Sequence, residues 1–202
     1  MAFEIDNWQK TEIRGSYIFW AVMVLLLIWL LSTTIYTVQA ESQGVVLRFG
    51  KYVKTVDPGL RIKYPFGIDK VFILPVKRQL KQEFGFGTPG ATNVTQYSSE
   101  QEEERGMVTG DLNAATVEWI IQYRIRDPML FQFKVRNPDD TLRDISESVM
   151  RTVVGDRTVD EVITVGRQEI ESEALTQLQA QVNKYELGLS IDQVQLKNVQ
   201  NI

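Results

Sequence analysis

From Gly15 to Ala40 the chain carries no charged residue, and Tyr17 to Leu31 reads YIFWAVMVLLLIWLL. A helix rises about 1.5 Å per residue, so a span from Tyr17 to Tyr36 covers about 30 Å, the thickness of a bilayer's hydrocarbon core. Tyr17 and Tyr36 stand where interfacial aromatics anchor such a span. Within hydrocarbon a helix satisfies its own backbone, and the hydroxyls of Ser32, Thr33 and Thr34 can bond back onto the preceding turn. The expectation is a transmembrane helix over 17–38 after a short tail, 1–16. A cleaved signal peptide competes: Ile18–Leu31 fits its apolar region, and Val38-Gln39-Ala40 resembles a cleavage site. The residues before the run argue for a retained anchor, because Lys10 and Arg14 are outnumbered by Glu4, Asp6 and Glu12 where a signal peptide is basic. Lys10 and Arg14 before the span, against Arg48, Lys51 and Lys54 after it, do not orient it.

What remains of the 202 residues suffices for one ordinary domain or two small ones. The chain has no Cys and no His. Disulfides, thiolate metal sites and every mechanism built on Ser-His or Cys-His pairs are therefore excluded. Charge is unevenly placed. Residues 41–82 hold nine Lys/Arg against Glu41, Asp57 and Asp69, whereas 83–202 hold 11 against 20 acids. A basic segment directly after an anchor is drawn to anionic headgroups by roughly 1 kcal/mol per cation near the surface. Equally, these charges could solvate an exposed sheet face. They lack the aromatic interleaving and groove-reading helix of a nucleic-acid binder. Arg48, Lys51, Arg61, Lys63, Tyr64 and Phe66 are the candidate membrane-surface contacts.

Along the chain, residues 41–84 read as a β-rich unit. Gly44–Gly50 is a short apolar strand, Val56-Asp-Pro-Gly59 a turn, Leu60–Tyr64 alternates, Pro65-Phe66-Gly67 turns again, and Val71–Val76 opens another strand. Residues 85–106, rich in Gly and then acidic from Glu100 to Glu104, read as a mobile surface loop. In the second unit, 107–202, Val117, Trp119, Ile121, Tyr123 and Ile125 alternate as a half-buried strand ended by Asp127-Pro128, with Ile120 the one apolar residue on the polar face. Asn137 can cap a helix that starts at Pro138, carries Leu142, Ile145, Val149 and Val153 on its core stripe, and stops at Gly155. Thr158-Val-Asp-Glu161 is a capping box. Arg167–Tyr185 forms a further helix with Ile170, Ala174, Leu178 and Val182 on one face, ended by Gly188. Leu189–Val199 returns as a strand. The fold class is α+β: a transmembrane helix, a β-rich part, then a sheet covered on one face by helices.

Three motifs reduce to bland readings. Gly85-Phe-Gly87-Thr-Pro-Gly90 spells G-x-G-x-x-G, but no helical pattern follows to receive a pyrophosphate. Glu100–Glu104 lacks the alternating oxygens and central glycine of a calcium loop and reads as a solvated charge run. Asn93-Val-Thr95 has meaning only in a glycosylating secretory pathway. No catalytic residue, cofactor site or metal site emerges, although carboxylate pairs remain open in a chain with 26 acids.

The order of the pieces carries a family resemblance. After the anchor come Glu41-Ser-Gln-Gly-Val-Val-Leu-Arg-Phe-Gly-Lys-Tyr52 and Pro58-Gly-Leu60, then Thr109-Gly-Asp111 and Ile121-Gln-Tyr-Arg-Ile-Arg-Asp-Pro128. Asn137-Pro-Asp-Asp-Thr-Leu-Arg143, Val153-Val-Gly155 and Thr158–Glu161 follow. Together they resemble the SPFH (stomatin, prohibitin, flotillin, HflK/C) or band 7 superfamily, most of all its bacterial HflK branch, over about 41–200. The resemblance implies a two-part SPFH domain and a scaffold that pairs with an HflC-like subunit in large membrane assemblies. Such a scaffold modulates the AAA protease FtsH and is not itself a protease. It also implies the bacterial inner membrane, a cytoplasmic N-terminus, a periplasmic SPFH domain and a leaflet touched or entered by that domain. The short tail lacks the Gly/Pro-rich stretch often seen in HflK, so a prohibitin- or stomatin-like scaffold unrelated to FtsH stays open. So does a membrane-anchored hydrolase or binding protein of the same architecture. Family members continue into a long coiled-coil helix, and this sequence ends before one is expected.

Overall fold

The computed structural model describes residues 15–86, 103–164 and 166–201. Helix α1, Gly15–Thr34, has neither acid in its first turn nor base in its last. It is the one described helix long and apolar enough to cross a membrane, and no residue of Tyr17–Thr34 is buried. It stops four positions short of the expected Val38. Ile35–Val38 is strand β1, so Tyr36 lies on a strand and does not close the helix. The cause is local: Thr33, Thr34, Ile35, Thr37 and Val38 are all β-branched and favour extended backbone. Hydroxyls of the last turn bond back to carbonyls one turn earlier, and the terminal Thr34 carbonyl is taken by a strand amide. Ser32 Oγ donates to Trp29 O (2.9 Å) and Thr34 Oγ1 to Leu30 O (2.7 Å), while Lys63 N donates to Thr34 O (2.8 Å).

Four further strands complete the first unit: β2 (Gln43–Arg48), β3 (Lys51–Val56), β4 (Gly59–Ile62) and β5 (Asp69–Leu74). Antiparallel pairing joins β1 to β4, and β2 lies between β3 and β5. Its small core is Val38, Val46 and Val56, with Tyr36 and Val71 packed against them. Gly44 is required there, because a Cβ would come within 2.9 Å of Val56 Cγ2.

The unit expected to run to residue 84 ends earlier. Strand β6, Leu80–Phe84, pairs with the long strand β8, Ala114–Ile125, and so belongs to the sheet of the second unit. Phe84 explains the allegiance: it is fully buried and stacks on Trp119 of β8, ring centroids 4.6 Å apart. Of the expected loop 85–106, positions 87–102 lie outside the described residues, as do Gly87–Gly90 of the glycine motif and Asn93. Gly106 already opens strand β7, Gly106–Val108. Glu104 is buried rather than part of a solvated charge run.

In the sheet of the second unit β6 and β7 share one edge of β8, and β9, Leu189–Asn201, follows the other. The turn after β8 holds a short helix that alternation did not reveal, α2, Pro128–Phe133. Asp127, expected only to end the strand, caps it by accepting from Met129 N (2.9 Å) and Leu130 N (3.1 Å). Helices α3 (Pro138–Gly155), α4 (Val159–Ile163) and α5 (Arg167–Lys184) follow. The stripes Leu142/Ile145/Val149/Val153 and Ile170/Ala174/Leu178/Val182 pack on the β8 face bearing Val117, Trp119 and Ile121. Thr158 and Glu161 form the reciprocal capping box. Asn137 occupies the cap position of α3 without capping it, since its amide donates to Asp140 Oδ2 (3.1 Å) instead. Ile120, on the opposite face of β8, is buried too.

Candidate membrane-contact site

The β1–β4 pairing carries the chain straight from α1 into the first unit with no intervening linker, because β1 begins at the residue after the helix ends. This brings the turn after β4 to the foot of the helix. There Thr34, Val46, Arg48, Lys54, Ile62, Lys63, Tyr64, Pro65 and Asp69 line a cleft of about 360 Å³.

Asp69 organises one wall. Its carboxylate accepts from Arg48 Nε (2.9 Å) and Nη2 (3.4 Å) and from Tyr64 N (3.1 Å). The Arg48 hydrogen bond chiefly, with help from the Tyr64 amide, holds the Asp69 carboxyl below the usual carboxylate range against the opposing effect of burial. The Arg48 guanidinium also lies 4.3 Å from the centroid of the Tyr64 ring. Arg48 is thus occupied on two sides. Lys63 leans toward the Tyr36 ring, its Nζ 6.0 Å from the centroid.

Arg48, Lys63 and Tyr64 of the sequence candidates converge on this cleft. Lys51 and Arg61 do not line it: Lys51 is exposed at the start of β3, and Arg61 Nε donates to Asp57 O (3.1 Å). Tyr17 is exposed near the other end of α1. Phe66 leaves the cleft with φ +63°, 72% exposed, and its ring sits 6.1 Å from that of Trp29. Trp29 lies about 7.5 Å inside the end of α1 at ~1.5 Å per residue, so the Tyr64–Gly67 turn reaches back along the apolar helix. Phe49, 82% exposed at the β2–β3 tip, donates its backbone N–H to Ile68 O (3.0 Å) at the same end of the unit.

Lys54, Asp69, Trp29 and Phe49 escaped the sequence reading. Asp69 had a usable signal as one of three acids in a basic unit. Trp29 sat within an apolar run, where nothing distinguished it.

Among the described residues the carboxyls that the fold shifts, Asp69, Asp111 and Glu161, all move down, and each is held by structural partners. Asp111 accepts from Thr109 Oγ1, Asn113 Nδ2 and Val159 N, and Glu161 serves the capping box. A general acid would need the opposite shift.

Residues 36–201 match the SPFH domain / Band 7 family. Protein HflK of Borreliella burgdorferi is 34% identical over 183 residues, 91% of this chain and 58% of that protein. Protein HflK of Treponema pallidum is 36% identical over 171 residues, 84% of this chain and 52% of that protein. The Modulator of FtsH protease HflK of Escherichia coli K12 is 32% identical over 182 residues, 90% of this chain but 38% of its own length. The chain therefore spans between about two-fifths and three-fifths of these relatives.

Proposed function

Because this chain belongs to the SPFH domain / Band 7 family, we propose that it is an HflK-like membrane-anchored scaffold that joins an HflC-like SPFH subunit and modulates an FtsH-type AAA protease. The observation that carries the reading is its likeness, over nine-tenths of its length, to a protein named as a modulator of FtsH protease. In this reading the chain does no catalysis. Its second unit is a packed platform, and its first unit lies on the bacterial inner membrane, N-terminus cytoplasmic and SPFH domain periplasmic.

Several contacts support an anchor that is kept. Removal of residues up to Ala40 would take away Val38, one of three buried residues of the small core, and β1, the partner of β4. The first unit would lose both a strand and its packing. The Trp29–Phe66 contact, the exposed Phe49, Ile62 and Phe66, and the cations around the cleft support contact with an anionic leaflet.

The test is affinity purification of the tagged full chain from its own bacterial membranes, followed by turnover of a membrane substrate of the protease with and without the chain. The expected result is co-purification of an HflC-like subunit and an FtsH-type protease, with altered turnover in the deletion strain. A chain that brings down neither, with turnover unchanged, supports a prohibitin- or stomatin-like scaffold unrelated to FtsH and overturns the proposal.

A further inference from the structure

We propose that the cleft at the foot of α1 seats one phosphate group of an anionic lipid, held by the ammonium groups of Lys54 and Lys63. The inference rests on the reading of this face as membrane-facing and adds to it a stoichiometric site.

Three observations converge. The first is charge. Arg48, Lys54 and Lys63 line the cleft against a single carboxylate, Asp69, which is already taken by Arg48 and the Tyr64 amide. The positive charge left over belongs to the two lysines. The second is the end of α1. Helix C-terminal carbonyls ordinarily repel an anion. Here Lys63 N donates to the terminal Thr34 O, so that repulsion is blunted at the carbonyl that ends the helix. The third is the grading of polarity. Val46, Ile62 and Pro65 line the cleft together with the two lysines, Ile62 is exposed, and the Phe66–Trp29 contact continues alongside the helix. A phosphate on the lysines with hydrocarbon along the apolar residues is the profile of a phospholipid at an interface. A free phosphate ion would have use only for the polar half.

The chain contains no Cys, so a single introduced cysteine is a unique labelling position. The full chain, extracted in mild detergent from nanodiscs of phosphatidylcholine with a minor fraction of phosphatidylglycerol, is weighed intact with its retained lipid. The expected result is one phosphatidylglycerol per chain, its occupancy falling at least tenfold in K54Q/K63Q and staying unchanged in K51Q. Equal loss in K51Q would mean diffuse attraction and overturn the seat. Displacement of the lipid by millimolar inorganic phosphate would show a free-anion site and overturn it as well. A spin label on Phe66→Cys reads the face independently through its accessibility to oxygen against a water-soluble nickel complex. A label at bilayer depth without a retained lipid defeats the seat and leaves membrane contact standing. A label in water defeats both.

Discussion

Arg143 reaches out of α3 to hold Glu104 in a two-pronged ion pair, Nε to Oε1 at 2.6 Å and Nη2 to Oε2 at 3.0 Å. Its guanidinium lies 4.7 Å from the centroid of Phe84, which stacks in turn on Trp119. The same Nη2 donates to Glu83 O (3.2 Å), so one side chain ties α3, the end of β6 and the segment entering β7. Arg143→Ala would leave Glu104 buried without its cation and uncover the Phe84 ring. We expect a loss of about 2–3 kcal/mol, with Arg143→Lys intermediate because an ammonium supplies charge without the planar fork. Urea unfolding of the full chain in detergent measures both, and an alanine variant as stable as the parent would refute the clamp.

Gly188 and Gly50 both have positive φ, +69° and +83°, yet their surroundings differ. A Cβ on Gly188 would lie 2.5 Å from Asp127 O and 2.9 Å from Phe131 N, backbone atoms of the cap and body of α2 that cannot step aside. A Cβ on Gly50 would meet nothing within 4 Å. Gly50→Ala should therefore cost only the left-handed conformation, about 1 kcal/mol. Gly188→Ala should cost about 3 kcal/mol or more, or prevent accumulation of folded protein. Thermal unfolding of the pair separates conformational strain from collision.

Acid should loosen the first unit through Asp69. Its carboxyl titrates lower in the folded chain than the ordinary value of about 3.9, mainly because of the Arg48 hydrogen bond. The unfolded chain then binds the proton more readily, so the stabilisation is complete above that ordinary value and is lost as pH falls through the folded one. The stability difference between the parent and Asp69→Asn should be constant near neutrality and shrink below pH about 4. A difference that stays level down to acid pH would show that the Arg48–Asp69 charge pair contributes nothing.

Much of the second unit was legible because its signals are local. The β8 alternation, the core stripes of α3 and α5, and the Thr158–Glu161 box each lie within one element and meet a single packed face. What was hidden depends on contacts between distant residues. Assigning β6 to β8 required knowing that Phe84 stacks on Trp119, and the burial of Glu104 required Arg143, 39 positions away. The helix end at Thr34 was misplaced because uncharged residues continue past it. Hydropathy does not distinguish the helical Leu30 from the extended Val38, whereas β-branching does. The contact site was half visible: its cations showed as composition, but only the fold separates Arg48, Lys63 and Tyr64, which converge, from Lys51 and Arg61, which do not line the cleft.

The mature chain should retain its N-terminal helix. Val38 is 2% exposed and sits with Val46 and Val56 in the core of the first unit. Intact-mass measurement of protein from native membranes should give a chain that includes α1. A mature terminus at Glu41 would show the first unit folding without β1.

The direct passage of α1 into β1 makes the anchor a lever rather than a tether. Thr34 is held by Lys63 N at 2.8 Å, Ile35 faces Ile62 in the β1–β4 register, and Phe66 rests beside Trp29. These three contacts fix the helix direction relative to the β1–β4 ribbon, and Val38 packs that ribbon on Val46 and Val56 of the neighbouring sheet, so tilt of the helix in the bilayer must carry the unit with it. Two glycines inserted between Thr34 and Ile35 lie outside both elements and would leave them able to form, while replacing the shared backbone with a flexible joint. Spin labels on single pairs of introduced cysteines, one near the start of α1 and one on β3, should give a narrow distance distribution in the parent. The insertion should broaden it several-fold at unchanged helix and sheet content. Equally narrow distributions in both would mean that the Thr34–Lys63 and Trp29–Phe66 contacts hold the junction without the shared backbone, and would refute the direct passage as its cause.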